Sequence, residues 1–66
     1  MVMETTVKIE KGDRIRLVRT SDPFTELLHG DLGTVRRIDR AGTIHVNWDS
    51  GSRLGLIAGE DSWVIL

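Results

Sequence analysis

The chain has no cysteine and one proline, and its few aromatic residues are two tryptophans and one phenylalanine, with no tyrosine. Without cysteine there is no disulfide, no thiol chemistry and no thiolate-ligated metal. A chain of 66 residues is one domain's worth, and at this size stability without staples must come from packing. The lack of disulfides fits a cytoplasmic setting, which is the expected localisation. No apolar run approaches the roughly 20 residues of a membrane span, so no membrane association is expected. The start of the chain, Met1-Val2-Met3-Glu4-Thr5-Thr6, has no basic segment and no long apolar stretch, and it is not expected to be a signal peptide.

Charge is scarce as a net quantity and uneven in its distribution. The formal net charge is −1, and seven of the nine basic residues are arginine. Basic residues cluster at Lys8, Lys11, Arg14, Arg16 and Arg19 and again at Arg36, Arg37 and Arg40, whereas the last stretch is acidic. This is not the bulk basicity of a strong non-specific nucleic-acid binder. It is compatible with a single arginine-bearing face.

What the sequence does have is dense punctuation. Glycines at 12, 30, 33, 42, 51, 55 and 59 separate short runs, several of which alternate apolar and polar residues. Short alternating runs with regular turn signals predict an all-β fold, and no run keeps the 3.6-residue period of a long helix. Residues 1–9 are expected to be an N-terminal extension or edge strand, and residues 10–66 the domain itself. Arg14–Arg19 alternates with Ile15 and Leu17 inward and Arg14 and Arg16 outward. Thr20 to Leu32 is a long connection. Its Ser21-Asp22-Pro23 forms a turn or cap, and Phe24 to His29 fits one helical turn or an irregular loop equally well.

Gly33–Asp39 is the next strand. Val35 and Ile38 are three apart, which predicts a bulge near Arg36-Arg37. Gly42 supplies the positive φ of a tight turn before Thr43–Trp48, where Ile44, Val46 and Trp48 share one face. Asp49-Ser50-Gly51 turns the chain into Ser52–Leu56. Ala58-Gly59-Glu60-Asp61 is expected as a single 3₁₀ turn, followed by a last strand at Trp63–Leu66. The expected core is Ile9, Ile15, Leu17, Leu32, Val35, Ile38, Ile44, Val46, Trp48, Leu54, Leu56, Trp63 and Ile65. Strand, long loop, three strands with tight turns, one short turn and a final strand is the order of a small five-stranded SH3-like barrel, closed on itself.

Several of these residues carry a resemblance. They are Lys11-Gly12-Asp13-Arg14-Ile15-Arg16-Leu17, Asp22-Pro23-Phe24-Thr25, Gly33-Thr34-Val35 and, above all, Gly42-Thr43-Ile44-His45-Val46-Asn47-Trp48-Asp49-Ser50-Gly51-Ser52. With Leu54-Gly55-Leu56-Ile57 and Gly59-Glu60-Asp61 they resemble a functionally uncharacterised domain family of bacteria, phages and mobile elements, a domain of unknown function of about this length. The similarity covers nearly all of residues 10–66 and departs at Glu26-Leu27-Leu28-His29, where a more proline-rich loop is expected. The glycine, Val46-Asn47-Trp48-Asp49 and Asp61 pattern is also similar to the mind-bomb/HERC-type SH3-like domain, a peptide-binding module. Gly12-Asp13, Gly30, Gly33, Val35 and Ile38 are similar to the KOW motif, which touches RNA or proteins. Both short patterns mostly encode turns and core and so speak for the fold.

No catalytic constellation is visible. Ser21, Ser50, Ser52 and Ser62 fall at turns or strand ends, and His29 and His45 lack a metal-ligand spacing. The expectation is a non-catalytic binding module with no metal and no cofactor, monomeric or weakly self-associating. Its first expected partner is a protein. Asp22, Pro23, Phe24 and Trp63 would form a groove beside the long loop, with Arg16, Arg36 and Arg37 steering an acidic segment. Phe24 fits the groove and a plug for the barrel mouth equally; Trp63 fits groove and core equally. The alternative partner is a nucleic acid, its phosphates held by Arg14, Arg16, Arg36 and Arg37.

Overall fold

Alternating side chains make the strands of this molecule, and a tryptophan stacked on a glycine locks two of them together. A computed structural model of the chain describes residues 9–66. The N-terminal extension or edge strand expected over residues 1–9 therefore lies, except for Ile9, outside the described residues. Five strands form one antiparallel sheet: β1 (Arg14–Arg19), β2 (Leu32–Ile38), β3 (Ile44–Trp48), β4 (Gly55–Leu56) and β5 (Ser62–Ile65), in the order β4-β3-β2-β1-β5. Among the described residues there is no helix, and hence none long and apolar enough to cross a membrane.

The core follows the period of two. Ile15 and Leu17 of β1, Val35 of β2, Ile44, Val46 and Trp48 of β3 and Leu56 of β4 are buried. Each is worth about 1.5–3 kcal/mol relative to exposure. Ile9, Leu54, Trp63 and Ile65 pack against this cluster from its margins. On β2 the buried positions are Gly33 and Val35, so Leu32, expected inside, belongs to the opposite face, where it pairs with Arg16 and is half-buried. Ile38, also expected inside, is 41 % exposed, because it sits past the bulge at the end of the strand. Leu27 of the long loop is buried in the core and had no periodic signal to reveal it.

The irregularities have local causes. Val35 pairs with Val46 and Arg37 with His45, so Arg36 is the extra residue of the expected bulge. Gly42 has φ of 89°, as the tight turn requires. The fourth strand, expected over Ser52–Leu56, is reduced to two residues. Its first half is drawn into a turn: the Trp48 amide donates to Ser52 O, and the Trp48 indole N–H donates to Leu54 O at 2.9 Å. The segment expected as a 3₁₀ turn is a hydrogen-bonded turn in which the amides of Glu60 and Asp61 both donate to Ile57 O. The expected closure is not made: β4 and β5 are the two edges of the sheet.

Gly33 faces Trp48 across the β2–β3 pair. A Cβ there would stand 2.6 Å from Val46 Cγ1, 2.8 Å from Trp48 Cε3 and 3.1 Å from Asn47 O. Gly33→Ala should therefore destabilise the fold by about 1–3 kcal/mol through overpacking, read as a lower urea midpoint with an unchanged m-value.

Candidate binding groove

The long connection between β1 and β2 is tied down at three places. At its root, Asp61 Oδ1 accepts from the Thr20 hydroxyl and the Ser21 amide, both at 2.9 Å, while Oδ2 accepts from the Ile57 amide at 2.8 Å. One carboxylate thus joins the loop to the turn before β5. In the middle, Leu27 enters the core. At its end, the Gly30 amide donates to Leu17 O, the Leu17 amide donates to Asp31 O, and Asp31 Oδ2 accepts from the Leu28 amide. Between these anchors an Asx turn, with the Phe24 amide donating to Asp22 Oδ1 at 2.9 Å, turns Phe24 outward. The phenyl ring is 90 % exposed, so it does not plug the sheet's mouth.

Facing this loop is the turn between β3 and β4. The two enclose an open groove of about 630 Å³ lined by Asp22, Phe24, Thr25, Glu26, Ser50, Gly51, Ser52 and Leu54. Its volume falls within the roughly 300–1,000 Å³ of ligand clefts. Asp22 and Phe24, expected in a groove, are in it; Pro23, between them, is exposed and does not line it. Trp63 is elsewhere. It packs on the core margin and borders a second, smaller depression of about 240 Å³ with Ala58, Gly59, Asp61 and Ser62. Thr25, Glu26, Ser50, Ser52 and Leu54 are groove residues that the sequence did not reveal, because only the fold brings the two loops together.

The arginines stand apart from the groove. Arg14 and Arg16 occupy exposed positions of β1, and Arg36 and Arg37 occupy the bulge of β2 opposite His45. None of the four lines the groove. Arg14 is already engaged: its two terminal nitrogens hold Asp49 in a fork at 2.8 and 2.9 Å, and Thr34 Oγ1 accepts a third bond. This fork raises the guanidinium pKa and lowers that of Asp49. Among the described residues Arg16, Arg36 and Arg37 have no ion-pair partner. His45, weighed as a metal ligand, lies with Nε2 2.8 Å from Asp39 Oδ2. Among the described residues no three His, Asp or Glu side chains converge on a metal-sized site.

Fold and groove together define a small all-β domain with a surface cleft between two loops. The chain matches the family described as Domain of unknown function (DUF4314) over residues 1–66, and it belongs to that family. No curated protein and no solved structure matches it.

Two of the turn carboxylates are acid-sensitive supports. Burial raises the pKa of Asp61, but the Ile57 and Ser21 amides, the Thr20 hydroxyl and Arg19 outweigh it and hold the group below its ordinary value. Asp39 is lowered by His45 first and by the Thr43 and Ala41 amides. A depressed carboxylate pKa contributes stability that is complete above the unfolded pKa and is lost as pH falls through the folded one. The urea midpoint should therefore be level above about pH 5 and fall below about pH 4. Asp61→Asn should flatten part of that fall. At pH 7 it should destabilise by about 1 kcal/mol, below the roughly 1.5–3 kcal/mol of a hydrogen bond to a charged group, since water reaches the carboxylate.

Proposed function

We propose that this domain is a non-catalytic binding module, of bacterial, phage or mobile-element origin and acting in the cytoplasm, that takes a protein segment in the groove beside Phe24. The observation that carries this reading is a fully presented aromatic ring on a loop held at three anchors. A phenyl group held in water by structure on either side has no packing role, and exposed aromatics at the rim of a cleft are what partners bury. An SH3-like barrel is the architecture this reading assumes. Its support is the strand order, with β1 between β2 and β5, three strands joined by short turns, and the long loop placed first.

A second reading is favoured by the outer face. Arg16, Arg36 and Arg37 lack carboxylate partners among the described residues and suit a KOW-like nucleic-acid surface, with Arg14 less available because of Asp49. The two readings separate in one pair of measurements. Phe24→Ala should change stability by less than about 0.5 kcal/mol, since the ring is outside the core, while abolishing capture of the protein partner held by the wild type. Labelled RNA and DNA titrated at about 50 and 200 mM salt should show no strongly salt-dependent binding. Tight binding that collapses with salt and with Arg36→Ala would transfer the function to the arginine face.

A further inference from the structure

The groove has a sign. Asp22 and Glu26 are the ionisable residues of its lining, and no lysine or arginine lines it. They flank Phe24 at two residues on either side, so a half-buried carboxylate and an exposed one bracket the aromatic ring. Asp22 is oriented by its turn: Oδ1 is taken by the Phe24 amide, and among the described residues Oδ2 has no hydrogen-bond partner. The opposite wall supplies an apolar contact from half-buried Leu54 and the hydroxyls of Ser50 and Ser52.

We infer that the segment bound in this groove is cationic: an extended stretch carrying an arginine or lysine that lies over the Phe24 ring between the carboxylates of Asp22 and Glu26, with an apolar neighbour against Leu54. The inference rests on the proposed groove function and reverses the charge expected of its partner. A guanidinium is the side chain best suited to the site. It stacks on an aromatic face while its edge donates to carboxylates, and its stem covers apolar surface. An acidic segment would place like charges together at the cleft, which is unfavourable. The arginines of the outer sheet face do not compensate, because none reaches the lining.

The test is selection of random peptides displayed on phage against the immobilised full chain, in parallel with Phe24→Ala and with the double variant Asp22→Asn/Glu26→Gln. The Asp22→Asn change keeps a side-chain oxygen to accept from the Phe24 amide. Glu26 makes no side-chain hydrogen bond among the described residues, so Glu26→Gln alone serves if the double variant melts early. Peptides enriched on the wild type should carry arginine or lysine beside an apolar residue. A synthetic copy should bind about tenfold more weakly to the double variant, with a larger loss at low salt than at high salt. Phe24-dependent peptides without basic residues, or with affinity unchanged by the double variant, would overturn the cationic inference and leave the groove reading standing. If no selected peptide depends on Phe24, both fail.

Discussion

Trp48 lies against β2 because position 33 carries no side chain, and from that seat it does two things at once. Its ring fills the centre of the core between Val46 and the β2 backbone, where any Cβ on residue 33 would collide with it. Its indole N–H reaches out of the core to Leu54 O, satisfying a polar group that burial would otherwise leave unpaired. Together with the Trp48 amide, which donates to Ser52 O, that bond ties the Ser52–Leu54 segment to the end of β3, and Ser52 and Leu54 form part of one wall of the groove. The candidate site is thus continuous with the core, and its geometry is set by the same side chain that stabilises the fold.

The other wall is held by carboxylates. A chain with one proline and no disulfide has few covalent means of fixing its bends, and aspartate side chains supply the need. Asp13, Asp22, Asp31, Asp39 and Asp61 each accept a backbone amide at a turn. The sixth, Asp49, is forked by Arg14 across β2. An amide donating to an ionised oxygen is among the stronger hydrogen bonds available to an exposed turn. Asp61 differs in reach, because its two oxygens bond Ser21 and Ile57, between which β2, β3 and β4 all intervene. It converts the long loop from a tether into a supported platform, which lets Phe24 stay exposed without the loop collapsing onto the core.

Where the physics is local, the sequence is legible. Arg14–Leu17 and Ile44–Trp48 alternate strictly, and both strands, their inward faces and the central place of Trp48 follow from that alone. The bulge at Arg36 is visible as a three-residue spacing between Val35 and Ile38. What the sequence conceals is decided between distant segments. Leu27 is buried with no period to announce it, because a single loop residue drops into a gap left by the side chains of several strands. The segment before the short β4 is bonded by an indole six residues upstream of the carbonyl that accepts from it. Phe24 and Trp63 both look like groove residues in isolation, and only the sheet order assigns them to different depressions. The four arginines look equivalent until Asp49 removes one.

That last distinction shapes the surface as a whole. A net charge of −1 hides a separation of signs: carboxylates line the groove, while the outer sheet face carries guanidinium groups that have no carboxylate partner among the described residues. Screening over about 8 Å at physiological salt confines the field of each group to its own neighbourhood. If the groove takes a cationic segment, as inferred above, the arginine face disfavours that segment while the groove carboxylates attract it. On that reading the arrangement would favour one approach, the one that brings opposite signs together. The arginines would then serve the groove without lining it, by disfavouring the wrong docking geometry, and Phe24 and Leu54 would supply the apolar contact in the right one.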